Sequence, residues 1–227
     1  MDTIEAIKER KSIRAFKPKP VSIKTVKDVL EIAIQAPSAV NAQPWEFFIV
    51  KGEALEKLRR KSVEQFRRGI GPGPDLPLPD KERGDMGLQG VYRKRSIALS
   101  VQIFKLLGIA KGDKQALQDY LEAMYRYFDA PVVIIIVIDQ VFQLTWPMVD
   151  MGTIAQTIAL TALEFGLGTC IMRAIVDYPE QVREIVGVPD SKRIILGMTI
   201  GYPDWEHPIN RVESERERLE NLLTVVG

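Results

Sequence analysis

Three cations and a hydroxyl stand within five residues near the start of the chain, from Arg10 to Arg14. Guanidinium groups pair bidentately with phosphate oxygens, so a cluster of this kind can bind an anion. Side chains alternate along an extended segment, and Arg10, Ser12 and Arg14 would therefore point to one side while Ile13 packs inward. The segment predicts either an anion site on which three polar side chains converge or a solvated basic turn.

Neutral hydrogen-bonding side chains are grouped between Ala36 and Trp45, where Ser38, Asn41 and Gln43 stand among two prolines. Hydroxyl and amide groups supply both donors and acceptors, which the edge of a heteroaromatic ring requires. The same residue types are common in ordinary loops. The segment therefore indicates either a ring-binding loop or a plain connection between elements.

A single cysteine and a single histidine limit the chemistry that side chains alone could perform. Cys170 rules out an internal disulfide and a multi-cysteine metal site, and His207 rules out paired-histidine zinc motifs. The sequence has no nucleophile elbow of the Gly-x-Ser-x-Gly type, no Gly-x-Gly-x-x-Gly and no phosphate-binding P-loop. Unless the site is built from carboxylates alone, redox or transfer chemistry must come from a bound cofactor, and we expect no metal.

The composition is that of a folded protein without excess charge. Of 227 residues, 46% are hydrophobic and 27% charged, and the net charge is +1. This balance argues against a nucleic-acid-binding protein, whose affinity depends on excess cations. The N-terminus lacks the apolar stretch of a signal peptide, and the longest apolar run falls far short of the ~20 residues that span a bilayer. We therefore expect a cytoplasmic protein that binds small molecules and neither nucleic acid nor membrane.

The spacing of apolar residues predicts a mixture of helices and strands. Helices are predicted over residues 3–11, 22–36, 53–68, 91–107, 115–128, 151–165 and 179–186. Strands are predicted over residues 46–50, 131–138, 169–172 and 193–202, the second of them without polar alternation, as in a strand covered on both faces. The strands do not alternate regularly with helices, so the sequence favours an α+β or mixed α/β fold over a doubly wound sheet.

Three segments have an unusual composition. The helix from Met151 to Phe165 is almost wholly apolar, so we expect burial on all sides and, through its small residues, close packing at a subunit interface. The tail from Ser214 onward ends in apolar residues that suit an arm packed on a partner chain. The segment from Gly69 to Gly90 is rich in Gly and Pro, which predicts a lid or mobile loop, or else a tolerated surface insertion.

The two polar segments and a third motif, Gly-Leu-Gly-Thr-Cys at 166–170, stand in an order that resembles the nitroreductase family of FMN-dependent flavoproteins. The matching motifs are Arg-x-Ser-x-Arg, Ala-Pro-Ser-Ala-x-Asn-x-Gln-Pro-Trp and Gly-Leu-Gly-Thr-Cys, completed by Gly201-Tyr202-Pro203-Asp204, Asn210 and Arg216. The insertion and the junction at 127–131 are most similar to the nitrobenzoate-reductase-like branch. The resemblance covers nearly the whole chain.

This resemblance implies a fold and an assembly. The fold would be an α+β, nitroreductase-like fold with a central mixed β-sheet flanked by helices. Residues 1–227 would form one domain, with a lid or insertion region at about 69–128. Two chains would form an intertwined homodimer that exchanges C-terminal arms.

The resemblance also assigns residues to FMN. Arg10, Ser12 and Arg14 would hold its phosphate and ribityl oxygens with help from Arg216, and Lys11 would face the pyrimidine end of the ring. The ring would be contacted by a loop of the other subunit, consisting of Pro37, Ser38, Ala39 and Asn41. The flavin N5 edge would lie along Ile171, Met172, Arg173 and Ala174, with a backbone N–H near the last two aimed at N5.

The implied activity is that of an FMN-dependent oxidoreductase. It would use NADH or NADPH to reduce nitroaromatic or related planar electrophilic substrates by a ping-pong mechanism, with the chemistry at flavin N5 and no catalytic side chain. The alternatives are a specialised flavin-dependent reductase, such as a reductive dehalogenase or enone reductase, and a non-catalytic flavin-binding protein. Met172 and Arg173 stand where many members have Gly or a small residue, and Arg173 could face the ring as a cation or point to solvent.

Overall fold

The helices and strands of the computed structural model follow the order that the sequence predicts. The structure describes residues 2–78 and 88–227. The helices are α1 (Thr3–Glu9), α2 (Ile23–Ala33), α3 (Gly52–Arg67), α4 (Gly90–Leu107), α5 (Lys114–Tyr125), α6 (Pro147–Glu164) and α7 (Pro179–Val186). The strands are β1 (Trp45–Lys51), β2 (Val132–Asp139), β3 (Gly168–Met172) and β4 (Lys192–Gly201). Within the described residues, no helix has both the length and the apolar character needed to cross a membrane.

The four strands form one sheet in the order β1-β2-β4-β3, in which neighbouring strands are antiparallel. Beside β3, Ser12 forms a parallel bridge with Thr169, and further along Phe16 forms an antiparallel bridge with Pro203. Among the described residues, the parallel part of the mixed sheet that we expected is therefore limited to the bridge at Ser12. The N-terminal segment that follows α1 thus lies at the β3 edge of the sheet.

Strand β2 is the centre of the hydrophobic core. All residues from Val132 to Ile138 are at most 1% exposed. Ile134 and Ile136 pack with α2 and α6 on one face, and Ile135 packs with α3 and α7 on the other. The prediction that this apolar run is covered on both faces is confirmed, because helices from four parts of the chain cover it.

Helix α6 is longer than predicted and leaves one side open. It begins at Pro147, four residues before the predicted start. Ile154 and Ile158 face the core, whereas Gly152 and Gln156 are exposed in the single chain. The expectation of burial on all sides is therefore wrong for one chain, since only the face that carries the larger apolar side chains is covered.

Helices α2 and α5 each end three residues before their predicted positions, at residues 33 and 125. After α5, residues 127–129 adopt left-handed backbone angles, with φ values of 57°, 51° and 52°. Arg59 holds this turn by donating to the backbone carbonyls of Arg126, at 3.0 Å, and Ala130. A side chain distant in sequence thus overrides the local preference for helix.

The Gly- and Pro-rich segment is anchored where it passes α7. The Asp75 carboxylate pairs with Arg183 at 2.7 Å and accepts a hydrogen bond from the Ile194 backbone N–H at 2.7 Å. These contacts hold the first part of the segment against α7 and β4. Residues 79–87, the middle of the expected lid, lie outside the described residues.

The C-terminal tail runs along α4. Gln102 Oε1 accepts a hydrogen bond from the Glu213 backbone N–H at 3.2 Å, and Arg95 pairs with Glu217 at 2.5 Å. The apolar residues beyond this contact, among them Leu222, are exposed. Exchange of this arm with a second copy stays a prediction.

Candidate functional site

The cationic segment Arg10–Arg14 lies extended along β3. Ile13 donates its backbone N–H to the Thr169 carbonyl at 2.9 Å, and its side chain is buried. Arg10, Ser12 and Arg14 stay partly exposed. Ile13 therefore packs inward as the alternation predicts, and the polar residues on either side of it line the surface.

Gly168 makes this close approach of two backbones possible. A Cβ atom at this position would overlap with the side chain of Ile13 and would lie 2.9 Å from Pro203 Cγ. A larger residue would push the N-terminal segment away from the sheet. The last glycine of the Gly-Leu-Gly motif thus serves the site by packing.

The charges of Arg10 and Arg14 and the hydroxyl of Ser12 act on the buried thiol of Cys170. Burial raises the pKa of this thiol, while Arg14, a hydrogen bond with Ser12, and Arg10 all act to lower it. In the part of the chain that the structure describes, no carboxylate forms an ion pair with Arg10, Lys11 or Arg14. The segment therefore keeps its positive charge available for an anionic ligand.

Asn210 holds the backbone of this segment in place. Its Oδ1 accepts a hydrogen bond from the Arg14 N–H at 2.8 Å, and its Nδ2 donates to the carbonyls of Ala15 and Asp204, both at 2.8 Å. Lys11 Nζ lies 3.5 Å from the Asn210 carbonyl. The sequence motif contained Asn210, but this role was missed because nothing in the sequence places it beside a segment 196 residues away.

The segment between Ala36 and Trp45 forms an exposed loop with a strained backbone. Val40, Asn41 and Gln43 have φ values of 48°, 57° and 44°, in the left-handed region that non-glycine residues rarely adopt. The loop is closed by Ser38 Oγ, which accepts a hydrogen bond from the Gln43 N–H at 2.9 Å. The Val40 side chain is 98% exposed. Backbone strain in an exposed loop is typical of a binding site.

The two polar segments lie apart within one chain. The Ala39 N–H bonds to Asp150 in the first turn of α6, whereas Thr169 follows the last turn of this helix. Fourteen residues separate Asp150 from Glu164, which is about 21 Å of helix. Among the described residues, no hydrogen bond joins the loop to the Arg10–Arg14 segment. One chain therefore does not bring the two predicted halves of the site together.

Arg173, at the end of β3, is engaged by a buried carboxylate. Its Nε lies 3.2 Å from Asp177 Oδ1, and Asp177 is 1% exposed. Burial raises the pKa of Asp177, and Arg173 and the hydrogen bond from Tyr125 oppose that rise. Arg173 thus pairs with a buried carboxylate while half of its side chain stays exposed to solvent. Among its neighbours in the predicted N5 segment, Met172 and Ala174 are buried and Ile171 is half exposed.

Arg216 bonds to the backbone and side chain of its own tail. Its Nη1 donates to the Ser214 carbonyl at 2.7 Å and to Ser214 Oγ at 2.8 Å, so the guanidinium folds onto its own tail. The neighbouring Glu217 is fixed by Asn221 and Arg95, whose hydrogen bonds lower its pKa to about 2. The contribution of Arg216 to the phosphate stays a prediction.

The donor set of the site fits a phosphate-bearing ligand better than a metal. Arg10, Lys11 and Arg14 supply cationic donors without acidic partners, and Ser12 adds a hydroxyl. Within the described residues, no group of His, Cys, Asp and Glu side chains could hold a metal ion. The residues present therefore fit the phosphate and polar oxygens of a nucleotide such as FMN.

The structure is that of an α+β protein whose cationic sheet edge could bind an anionic ligand. Residues 7–202 match the nitroreductase family, and the chain belongs to this family. The resemblance stated from the motifs is thereby confirmed.

Named relatives are similar over almost the full chain. A 4-nitrobenzoate reductase of Nocardioides sp. (strain LMS-CY) is 32% identical, over 96% of this chain and 87% of its own. A nitrobenzene nitroreductase of Ectopseudomonas oleovorans is 32% identical, over 98% of this chain and 96% of its own. These names agree with the nitrobenzoate-reductase-like branch that the sequence indicated.

Solved structures agree with the fold. The FMN and NADPH-dependent nitroreductase NfnB from Sphigopyxis sp. strain HMH superposes with a TM-score of 0.92 at 28% identity, covering 100% of both chains. The FMN-dependent NfnB from Mycobacterium smegmatis, in complex with NADPH, superposes with a TM-score of 0.89 at 28% identity, covering 99% of this chain and 98% of its own. The nitroreductase-like fold is thereby confirmed.

Proposed function

We propose that the protein is an FMN-dependent oxidoreductase that uses NADH or NADPH to reduce nitroaromatic compounds or related planar electrophiles. The observation that carries this proposal is the Arg10–Arg14 segment, which is fixed on the sheet edge with no acidic partner among the described residues. Membership of the nitroreductase family supports the type of reaction. The cofactor and donor agree with those named for the two NfnB structures.

The residues that would hold FMN are those of the two polar segments and the end of β3. Arg10, Ser12 and Arg14 would bind the phosphate and ribityl oxygens, and Lys11 the pyrimidine end of the ring. Arg216 would join them from the tail. The ring would be bordered by Pro37, Ser38, Ala39 and Asn41 of a second copy, and by Ile171, Met172, Arg173 and Ala174 of the first.

Bound FMN would supply the redox chemistry by taking a hydride from a nicotinamide and passing electrons to the acceptor. In this proposal the donor and the acceptor occupy the same place in turn, which is the ping-pong order. The side chains of the site bind, orient and shield the reactants, and none has to act as a nucleophile.

The proposed site needs a homodimer. Two observations support one: the open side of α6, where Gly152 allows close approach of another chain, and the exposed apolar tail beyond Glu217. A second copy would also supply the loop that lies far from Arg14 within one chain. Apolar side chains that stay exposed in a single chain, as those of this tail do, are typical of an interaction site.

The test begins with the purified protein and its Arg14→Ala variant. We expect yellow protein with about one FMN per chain, whose flavin absorbance bleaches under NADH or NADPH without oxygen. Arg14→Ala should lose most of the flavin. Arg60→Ala, which removes an exposed arginine of α3 outside the site, is the matched control and should retain it.

Turnover with 4-nitrobenzoate and nitrobenzene, compared with halogenated phenols and enones, then decides the reaction. Reduction of the nitro compounds supports the proposal, whereas faster reduction of a halogenated phenol or enone indicates a specialised reductase. Tight FMN binding without turnover by any donor indicates a flavin-binding protein that is not an enzyme. A colourless protein that takes up no added FMN contradicts the proposal altogether.

A further inference from the structure

The first turn of α6 holds the loop backbone at two points. Thr153 Oγ1 lies 3.0 Å from the Pro37 carbonyl and 2.8 Å from the Asp150 carbonyl, and these two acceptors share its one hydroxyl hydrogen. Asp150 Oδ1 accepts a hydrogen bond from the Ala39 N–H at 3.1 Å. Ser38 lies between these two backbone groups in an extended conformation, with φ −139° and ψ 153°. Two side chains one turn apart on a helix therefore fix the peptide on either side of Ser38.

The backbone that follows this anchor would not hold its shape by itself. Val40 has a φ of 48°, which crowds a β-branched side chain against its own backbone. Its side chain is 98% exposed, so no packing within the chain offsets this strain. A strained conformation persists only where the surrounding structure imposes it.

The anchor and the strained residues are connected through Ser38. Its hydroxyl accepts a hydrogen bond from the Gln43 N–H at 2.9 Å, which closes the loop over Val40 and Asn41. The hydroxyl is in place because the peptide groups on both sides of Ser38 are bonded to α6. Asp150 itself is buried, at 5% exposure. The group that holds the loop is therefore covered, whereas the loop itself is exposed to a ligand.

We infer that Asp150, assisted by Thr153, is a positioning residue that holds the loop at 38–41 in the strained conformation with which it meets the flavin ring. The inference rests on the proposed function, because the loop's ligand is the FMN proposed above. Asp150 acts through the loop and makes no contact with the cofactor.

The experiment measures the dissociation constant for FMN of apoprotein, by flavin fluorescence, and the unfolding midpoint of the same samples. Asp150→Ala should raise the dissociation constant at least tenfold, because the Ala39 N–H loses its acceptor. Asp150→Asn should stay within about threefold, because an amide oxygen still accepts from that N–H. Asp113→Ala is the matched control, since it removes the same kind of bond, at 3.0 Å to the Ala116 N–H, far from the loop.

A double-mutant cycle separates positioning from a general loss of stability. Glycine adopts positive φ without strain, so V40G should make the loop less dependent on its anchor. In the V40G background, adding D150A should therefore raise the dissociation constant by less than threefold, compared with at least tenfold in the parent. If D150A does not fold, Thr153→Val takes its place as the test variant, because it removes the hydroxyl that faces the Pro37 carbonyl. It should weaken FMN binding about threefold.

The amide exchange of Ala39 and Gln43, followed by NMR in the apoprotein, tests the anchor without flavin. Exchange should be faster in D150A and unchanged in D113A. Unchanged exchange, an FMN dissociation constant in D150A equal to the parent's, or an equal effect of D150A in both backgrounds overturns the inference while leaving the proposed function intact. A parent protein that binds no FMN overturns both.

Discussion

The side-chain oxygen of Asn210 accepts a hydrogen bond from the backbone N–H of Arg14 at 2.8 Å. The same amide group donates to the carbonyls of Ala15 and Asp204, and Asn210 is 2% exposed. One buried side chain therefore satisfies three backbone groups at the point where the cationic segment leaves β3. The position of the Arg14 backbone is therefore set by an amide that lies in the C-terminal part of the chain.

Replacing Asn210 should loosen this segment and lower stability. Asn210→Ala leaves three backbone groups without their partner, which should reduce the free energy of unfolding by about 2–4 kcal/mol in urea denaturation. Asn210→Asp keeps the acceptor for the Arg14 N–H but loses both donors, and its carboxylate oxygen would face two carbonyl oxygens. We therefore expect a loss at least as large as that of Asn210→Ala. Asn221→Ala removes one exposed hydrogen bond, to Glu217, and should cost less than about 1 kcal/mol. Equal stability of N210A and the parent would contradict this account.

The Arg173–Asp177 pair should make stability depend on pH. Burial raises the pKa of Asp177 above the usual 3.8, so ionising it costs stability as the pH rises from about 4 through the raised pKa. Arg173 opposes that rise, so Arg173→Ala should cost more at pH 8 than at pH 4. Because Arg173 is half exposed, we expect a difference of only about 1 kcal/mol. Urea unfolding of both proteins at the two pH values measures it, and a loss that is the same at both would refute the pairing.

The sequence predicted those features that depend on local pattern. The unbroken apolar run of β2 indicated a strand covered on both faces, and every residue from Val132 to Ile138 is buried. Alternation predicted that Ile13 packs inward while its polar neighbours stay at the surface. Ser22 was predicted to open α2, and its hydroxyl accepts from the Thr25 N–H at 2.9 Å. Each of these depends on residues close together in the chain.

The sequence did not predict the contacts that join distant residues. Asn210 and Asp150 have no local pattern that points to Arg14 or Ala39, because their partners lie 196 and 111 residues away. The partner of Arg173 was only four residues away, but whether Asp177 is buried depends on how α3, α5 and α7 pack around it. The open side of α6 was missed for a similar reason. An apolar sequence predicts that a helix is buried, but it does not show whether its own chain or a second copy covers each side.

Gly168 should be essential for seating the cationic segment. In Gly168→Ala the added methyl overlaps with the Ile13 side chain, and crowding of this kind typically costs about 1–3 kcal/mol. We expect a lower thermal unfolding midpoint and a lower FMN content, because the displaced segment carries Arg14. Gly71→Ala is the control, since a Cβ there meets nothing within 4 Å, and it should match the parent in both measurements. Full FMN content in G168A would show that the segment does not need this close approach.

The open side of α6 should be where two chains meet. Light scattering after size-exclusion chromatography should give the parent twice the chain mass of 25.6 kDa. Gly152→Arg places a long charged side chain where close approach requires a small residue, so we expect a monomer that also loses FMN, because the loop at 38–41 of the second copy is no longer supplied. Gln115→Arg, on the exposed surface of α5, should stay dimeric and keep its flavin. A monomeric parent that binds FMN tightly would show instead that one chain completes the site.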